Sequence, residues 1–266
     1  MILDRDLVTV TGPDAFSFLQ SLVSQDIEGM ADGEGRHSLL LTPKGKVTSV
    51  FRLVRVGDDA WLDLEAGHGD ELRAALERFK LRVKVELAGP SEPWGMVAFR
   101  AGEAATVPGG CVAIPAADRV DVIGPRAALA TIDGEAALTV DGYEAARIEA
   151  GIPKLGAELD ESTIPQEAYL DLDAVSFTKG CFLGQELVAR IDSRGHVNRL
   201  LRRLRVPDGA SPEVGTDVTV DGKAVGTVTS AVPGVALAYV RREIDPGATA
   251  TVAGTDVTIE AVTPAP

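Results

Sequence analysis

The sequence is poor in residues that bind metals or form disulfides, with two cysteines and three histidines in 266 residues. Two thiols supply neither the disulfide framework of a small secreted domain nor the four ligands of an iron–sulfur cluster. The cysteines and histidines also lack the spacing of a zinc site. We therefore expect that this chain alone holds no metal and can at most share a cluster ligand with a partner protein or with glutathione.

The sequence also lacks a long apolar run. Its longest segment without a charged residue, 224–240, contains Pro233 and is shorter than the ~20 residues of a membrane-spanning helix. Charged residues begin at Asp4, so no apolar export signal is indicated. Glycine-rich nucleotide-binding loops are missing as well. The missing apolar run and the missing export signal predict a cytoplasmic protein without a membrane partner.

Positive charge is scarce, because 26 Lys and Arg residues stand against 40 Asp and Glu residues and give a formal net charge of −14. This charge repels nucleic acids, so no stable direct nucleic-acid binding is expected. The exception is segment 190–205, which contains six arginines and one aspartate. Guanidinium groups bind carboxylates and phosphates, so the segment predicts either a site for an anionic ligand or a set of ion pairs within the chain.

The N-terminal part of the sequence mixes helical and strand patterns. Gly-Pro-Asp at 12–14 precedes apolar residues at helical spacing, which predicts a helix. Apolar and β-branched runs on either side of Thr-Pro-Lys-Gly-Lys at 42–46 predict a hairpin. Further helices are predicted at 72–79 and 143–149. Because helices and strands do not alternate regularly, the pattern indicates the α+β fold class.

From Arg199 onward, the sequence consists of short β-type runs separated by Pro, Gly and Asp. Asp221 and Gly222 lie between two valine-containing runs and are typical of a type I′ hairpin turn. Strands at this spacing predict a small β-barrel or sandwich. We therefore predict an α+β region of two interlaced lobes at 1–198 and a C-terminal β-barrel at 199–266.

Cys181 lies between glycines in Lys-Gly-Cys-Phe-Leu-Gly-Gln-Glu, just before a helix predicted at 185–191. Free N–H groups at a helix N-terminus favour a thiolate, and Lys179 adds a positive charge two residues away. Local chemistry therefore predicts either a reactive or metal-ligating sulfur or a small buried side chain. Cys111 has no comparable neighbours and is predicted to be structural.

Two carboxylates, Glu149 and Glu167, lie beside Gly and Pro turns. A carboxylate can accept two hydrogen bonds from the N–H edge of a pterin or guanine ring. These residues are therefore either ligand contacts or ordinary surface glutamates.

Segment 179–190, Lys-Gly-Cys-Phe-Leu-Gly-Gln-Glu-Leu-Val-Ala-Arg, resembles the signature of the YgfZ-type folate-binding proteins. These proteins are relatives of the glycine-cleavage T-protein and include mitochondrial factors for late iron–sulfur cluster assembly. The resemblance extends to residues 12–20, 41–46 and 147–153 and to the C-terminal β-module. It implies an aminomethyltransferase-like ring of α+β lobes with a β-barrel and a central channel that holds a folate.

The resemblance also implies a ligand and a set of functional residues. The ligand is tetrahydrofolate or a related folate, with Glu149 on the pterin and arginines near the folate carboxylates. The expected folate contacts are Glu149, Glu167, Gln185, Arg190 and Arg199. Cys181, with Lys179 beside it, is expected to act in the assembly or repair of iron–sulfur proteins, including tRNA-modifying enzymes, which are the expected partners.

One position separates this sequence from the T-protein, which has an acidic residue just after the hairpin turn. Ser49 and Val50 align there, and no carboxylate lies between residues 39 and 56. The resemblance therefore argues against aminomethyl transfer. Three hypotheses remain, namely an iron–sulfur assembly factor that binds folate, a folate-dependent aminomethyl or one-carbon transferase, and a folate-binding module whose cysteine is only structural.

Overall fold

The computed structural model describes residues 1–102, 106–116, 119–133 and 136–262, so residues 263–266 of the predicted barrel domain lie outside the described part. The chain divides into two compact units. The first unit comprises Met1–Pro43, Thr48–Val140 and Ala174–Gln185, and the second comprises Lys44–Val47, Asp141–Asp173 and Glu186–Pro266. No helix in the described residues is long and apolar enough to span a membrane.

The first unit is built on an antiparallel sheet of eight strands. The strands are β1 (Leu3–Thr11), β2 (Gly35–Leu41), β3 (Val47–Val56), β4 (Asp59–Glu65), β5 (Glu86–Ala88), β6 (Trp94–Arg100), β7 (Val112–Ala116) and β8 (Arg119–Pro125). Their order is β2-β3-β4-β1-β6-β8-β7, and β5 pairs with β1. The predicted hairpin is confirmed as β2 and β3, which are neighbours in the sheet.

The two edge strands of this sheet approach one another. A Cβ atom placed on Gly35 of β2 would lie 3.2 Å from Cγ2 of Ile114 in β7. The twist of the strands therefore curls the sheet until its first and last strands are in contact. Gly35 permits the approach because it has no side chain.

In the part of the first unit that the structure describes there are three helices, namely α1 (Ala15–Gln20), α2 (Gly69–Glu77) and α3 (Arg126–Leu129). Helix α1 is the one predicted after Gly-Pro-Asp, and its Ala15, Phe18 and Leu19 are buried. They pack with Leu72 and Leu76 of α2 in the main apolar core of the unit. The apolar periodicity therefore identified the buried face of α1 and, through Leu72 and Leu76, that of α2, although α2 ends at Glu77 and Phe79 is exposed.

The second unit contains helices α4 (Val140–Ala150) and α5 (Gln185–Arg194), which begin at its boundary with the first unit, and a 3₁₀ helix at Pro165–Ala168. Helix α4 ends at Gly151, whose φ of 74° lies in the left-handed region that favours glycine. The N–H of Ile152 then donates to the carbonyl of Arg147 at 3.0 Å. This helix end is the one expected from the sequence Ala-Gly-Ile-Pro.

The rest of the second unit is a closed antiparallel barrel. Its strands are β9 (Arg199–Arg205), β10 (Asp217–Val220), β11 (Lys223–Val232), β12 (Val235–Arg241), β13 (Thr249–Val252) and β14 (Thr255–Ala261), in the order β10-β11-β12-β9-β14-β13, and β13 pairs with β10. Asp221 and Gly222 have φ values of 49° and 73°, as a type I′ turn requires. The structure thus decides between the barrel and the sandwich that the sequence left open.

Candidate functional site

Cys181 lies in a loop of the first unit that we call the Cys181 loop, residues 174–184. The loop is attached to the segment after α1 by Ser24, whose hydroxyl donates to the carbonyl of Ala174 at 2.6 Å. The N–H of Ser176 donates in turn to the carbonyl of Ser24 at 3.0 Å. These two bonds fix the start of the loop.

Lys179 fixes the middle of the Cys181 loop. Its ammonium donates to the main-chain carbonyls of Gln20, Val23 and Gln25 at 2.8, 2.8 and 2.9 Å. An ammonium has three N–H donors, so all of them are used. Burial lowers the pKa of Lys179 to about 8, so the group is mostly protonated at pH 7. The charge predicted to act on the thiol is therefore directed at these carbonyl oxygens.

The structure places Cys181 on the surface, as predicted for a thiol with a functional role. Helix α5 begins at Gln185, as predicted, but Cys181 lies in the loop before its first turn, so the prediction of a thiol at the helix N-terminus is wrong. Gly184 is the reason, because its φ of 79° lies outside the helical region. The side chain of Gln185 accepts a hydrogen bond from the N–H of Phe182 at 3.2 Å and connects the loop to the helix.

Cys181 lines a cleft of about 380 Å³, which we call the Cys181 cleft. Its other walls are the residues Phe16, Ser17, Gln20, Ser21, Ile27, Glu28 and Gly180. The thiol therefore shares the cleft with an aromatic ring, hydroxyl groups, an amide and one carboxylate. All these residues belong to the first unit.

Cys111 has a different environment. It is partly buried, and burial raises the pKa of its thiol. Gly124 makes room for it, because a Cβ on that glycine would lie 2.3 Å from the sulfur of Cys111. These contacts agree with the structural role predicted for Cys111.

Glu149, the predicted pterin contact, is paired with arginines of the barrel. Its two carboxylate oxygens accept hydrogen bonds from Arg205 at 2.9 and 3.0 Å. These hydrogen bonds hold the pKa of Glu149 below its usual range. Glu260 binds the same arginine and also accepts a hydrogen bond from Arg203 at 2.8 Å. We call Glu149, Arg203, Arg205 and Glu260 the Glu149 group.

Glu167 and Arg199 are brought together at 3.0 Å. Glu167 is buried in the 3₁₀ helix, where it also accepts a hydrogen bond from the N–H of Ile164 at 3.2 Å. The Arg199 guanidinium lies 4.2 Å from the ring centre of Tyr239. Glu167 is therefore not a surface glutamate. The Glu167–Arg199 ion pair and the Glu149 group have no residue in common.

Most arginines of segment 190–205 form hydrogen bonds and ion pairs within the second unit. The arginines of β9 donate to Glu167, to the Tyr169 hydroxyl, to Glu260 and to Glu149. Arg190 and Arg194 are exposed on α5. The interpretation as internal ion pairs therefore holds for β9, and Arg190 is the predicted anion contact that stays on the surface.

Ser49, which the sequence alignment places at the T-protein carboxylate position, is buried in β3, and its hydroxyl has no hydrogen-bond partner among the described residues. Three carboxylates elsewhere in the chain, those of Asp63, Glu65 and Glu167, are each bound to an arginine. Asp63 and Glu65 bind Arg5 at 2.8 and 2.6 Å, and Glu167 binds Arg199. Within the described residues, no three His, Cys, Asp or Glu side chains form a group that could hold a metal ion.

Sequence reasoning missed Arg147 and Gln166. Arg147 is buried, donates to Glu158 at 3.0 Å and to Ser230 at 2.9 Å, and so connects α4 to the barrel. Gln166 lines a second cleft, of about 620 Å³, in the second unit. The sequence pointed to Arg147 only through its place at the start of segment 147–153, which begins Arg-Ile-Glu. Nothing in the sequence pattern pointed to Gln166.

Comparison with known proteins gives matches over most of the chain. A family model described as the CAF17 C-terminal beta-barrel domain matches residues 199–266. The chain is 32% identical over 259 residues to a tRNA-modifying protein YgfZ from Escherichia coli O157:H7, covering 86% of this chain and 79% of that protein. It is 29% identical over 254 residues to a mitochondrial iron–sulfur cluster assembly factor IBA57 homolog from Neurospora crassa, of which it spans 55%.

The fold is similar to that of a solved enzyme. The crystal structure of glycine cleavage system aminomethyltransferase T from Bartonella henselae matches with a TM-score of 0.80 and 19% sequence identity, over 99% of this chain and 85% of that chain. This likeness confirms the aminomethyltransferase-like fold expected from the sequence.

Proposed function

The chain belongs to the family of YgfZ tRNA-modifying proteins, and on that premise we propose that it is a folate-binding factor that supports the assembly or repair of iron–sulfur proteins, including tRNA-modifying enzymes. The name of the IBA57 homolog, an iron–sulfur cluster assembly factor, supports the same assignment. The observation that carries the proposal is the exposed thiol of Cys181 on a loop fixed by Lys179.

Exposure of Cys181 argues for a functional thiol. A free cysteine that serves packing is usually among the most buried residues, whereas Cys181 is exposed beside a cleft. The hypothesis of a purely structural cysteine therefore lacks a packing contact that would explain this residue. The proposed cytoplasmic location would also keep the thiol reduced.

The proposed chemistry of Cys181 is ligation. A thiolate binds iron, and one thiolate supplies one ligand to a cluster that needs several. The remaining ligands would come from the client protein or from a small thiol. The Cys181 cleft supports this role because it gives a partner side chain access to the sulfur.

Folate is the proposed ligand, with Glu149 on the pterin. The ion pair of Glu149 with Arg205 is about half exposed on both sides, and such a pair contributes only ~0–1 kcal/mol to stability. The N–H edge of a pterin can therefore replace Arg205 at the Glu149 carboxylate with little loss of stability. The folate carboxylates lie at the opposite end of the molecule from the pterin, so the exposed Arg190, and not the two arginines beside Glu149, is the residue proposed to bind them.

The Glu167–Arg199 pair has a different proposed role. Because Glu167 is buried, removal of Arg199 would leave an unpaired buried carboxylate. We propose that Arg199 reaches a folate carboxylate with the part of its guanidinium that Glu167 leaves exposed. Gln185, whose side chain accepts a hydrogen bond from the N–H of Phe182, stays a proposed folate contact.

Titration calorimetry with 5-formyltetrahydrofolate tests the folate assignment. Glu149→Gln should weaken binding at least about tenfold, while Glu260→Gln, which loses bonds to the same two arginines, should leave the affinity within about twofold. Neither variant should change the melting temperature of the free protein by more than a few degrees. Absence of folate binding to the wild type, or equal loss in both variants, would contradict the assignment.

A further inference from the structure

One short segment of the first unit differs in charge from the rest of the chain. Segment 78–84, Arg-Phe-Lys-Leu-Arg-Val-Lys, follows α2 and contains four basic residues and no acidic one, whereas the whole chain carries a formal net charge of −14. We call it the Leu81 segment. Basic and apolar side chains alternate along it. None of its residues lines the Cys181 cleft or belongs to the Glu149 group.

Most of the positive charge of the Leu81 segment is uncompensated. Lys80 lies 3.5 Å from Glu77 at the end of α2. Arg78, Arg82 and Lys84 are exposed and form no ion pair with another residue of the described ranges. The arginines of β9 differ, because most of them are paired with carboxylates of their own unit. The Leu81 segment therefore leaves guanidinium and ammonium groups available to an external anion.

Leu81 adds an apolar group to this surface, since its side chain is 78% exposed. Val83, two residues later, packs partly buried against the main core of the first unit. In an extended chain, residues two apart lie on the same face. Arg82 has a φ of 58°, in the left-handed region, and this change of backbone direction allows Val83 to face the core while Leu81 faces outward. Phe79 contributes a partly exposed ring two residues before Leu81.

The backbone of the Leu81 segment is fixed at both ends. At its start, the N–H of Phe79 donates to the carbonyl of Leu76 at 3.0 Å, and the N–H of Leu81 donates to the carbonyl of Phe79 at 2.8 Å. At its end, the N–H of Lys84 donates to the carboxylate of Asp14 at 2.7 Å. A partner that binds here therefore needs to order little further backbone.

The residues on either side of the Leu81 segment limit the kind of anion that fits it. Asp70 and Glu71 are exposed at the start of α2, Glu77 is exposed at its end, and Glu86 is exposed in β5. A bilayer or a nucleic acid presents continuous negative charge, which these carboxylates and the net charge of the chain repel. A protein surface can place a few carboxylates opposite the cations alone. Arginine beside exposed apolar groups is also typical of protein interfaces.

We propose that the Leu81 segment docks on an acidic surface of another protein. Leu81 enters an apolar depression of that surface, and Arg78, Arg82 and Lys84 bind carboxylates around it. Charge pairs of this kind speed association and select the partner, while the leucine supplies apolar contact. The proposal is independent of folate binding and of Cys181, because it rests on other residues of the first unit.

Photo-cross-linking of the full-length protein in the cells that produce it tests the proposal. The photoreactive residue p-benzoylphenylalanine replaces Leu81 in one strain and Val214, a 65% exposed valine of the second unit, in a control strain. Both side chains are exposed, so both proteins should fold normally. After irradiation, mass spectrometry should identify a protein joined to position 81 and not to position 214. No protein adduct at 81, the same adducts from both positions, or an adduct with RNA, lipid or a second copy of the chain would overturn the proposal.

Titration calorimetry with the purified cross-linking partner then tests the charges and the leucine. Arg82→Glu and Leu81→Ser should each raise the dissociation constant about tenfold or more, and the affinity of the wild type should fall as salt is added. Arg100→Glu is the matched control, because it changes another exposed arginine of the first unit and alters the net charge equally. It should bind within about twofold of the wild type. Equal effects of Arg82→Glu and Arg100→Glu, or unchanged binding in Leu81→Ser, would contradict the docking site.

Discussion

The ammonium of Lys179 lies 2.8 Å from the carbonyl oxygen of Val23, a residue 156 positions earlier in the chain. Two further carbonyls, of Gln20 and Gln25, complete its hydrogen bonds. This contact turns a glycine-rich segment into a loop of defined position. The position of the loop that carries Cys181 therefore depends on Lys179, whose charge we had expected from the sequence to act on the thiol.

Lys179→Met keeps the aliphatic chain but leaves three carbonyls without a charged donor. We expect the free energy of unfolding to fall by ~1.5–3 kcal/mol, as for hydrogen bonds to charged groups. Urea denaturation measures this change. Lys223→Met, at an exposed position of β11, is the matched control and should stay within ~0.5 kcal/mol of the wild type. Equal stability of the two variants would show that Lys179 does not fix the loop.

The two cysteines should differ in their reaction with iodoacetamide at pH 7.5. Cys181 is exposed, whereas Cys111 is partly buried and burial raises its pKa, so both access and thiolate fraction are reduced at Cys111. Mass spectrometry of digested protein after timed alkylation gives both rates in one sample. Cys181 should react first, and faster modification of Cys111 would count against a functional thiol at 181.

Asp63 is fully buried between Arg5 and Arg52, at 2.8 and 2.7 Å. Although burial acts in the opposite direction, the two guanidinium charges hold the pKa of Asp63 below its usual value. The unfolded chain therefore binds the proton more tightly, and the stabilisation is present above pH ~4 and lost as the pH falls through the folded pKa.

Asp63→Asn should lower the free energy of unfolding by ~3–5 kcal/mol at pH 7, because Arg5 and Arg52 keep Glu65 and Asp121 but lose the buried carboxylate that they share, which leaves one buried positive charge uncompensated. The variant should also lose part of the pH dependence of stability below pH ~4. Asp58→Asn is the control, because Asp58 is an exposed residue in the turn between β3 and β4. An Asp63→Asn variant as stable as this control would contradict the assigned ion pairs.

Aminomethyl transfer should be absent or very weak. A positioned acid or base contributes ~10²–10⁴-fold to a rate, and Ser49, the residue aligned with the T-protein carboxylate, is a buried serine. Asp63, Glu65 and Glu167 are bound to arginines and do not replace it. The assay is ammonia and methylenetetrahydrofolate release from an aminomethylated lipoyl carrier. Turnover within about tenfold of a T-protein control would favour the transferase hypothesis.

The parts of the fold that could be predicted from sequence are those set by local patterns. Alternating apolar residues and Asp221-Gly222 identify strands and a turn because both depend on neighbours in the chain. Helix α5 begins at Gln185, where the pattern predicted it, and the limit of this reasoning is the loop before it, where Gly184 has a left-handed φ. Glycine is compatible with either conformation, so the sequence did not reveal which one it adopts.

The site was harder to predict because its contacts join distant segments. Glu149 meets Arg205, a residue 56 positions later, and the sequence could not show whether that glutamate would face a ligand or an arginine. The unpaired oxygen of Gln166 is a property of packing and leaves no pattern in the sequence. The recognisable signal was the Lys-Gly-Cys motif, which marked the loop that carries the exposed thiol but not the role of its lysine.

Complementation of a strain that lacks its own copy of this protein is the most direct test of the proposed iron–sulfur role. The strain receives the wild type, Cys181→Ser or Cys111→Ser, and the activities of iron–sulfur enzymes and the level of thiolated tRNA are measured at equal protein abundance. The proposal predicts that the wild type and Cys111→Ser restore both and that Cys181→Ser restores neither. Full restoration by Cys181→Ser would contradict the role assigned to that thiol.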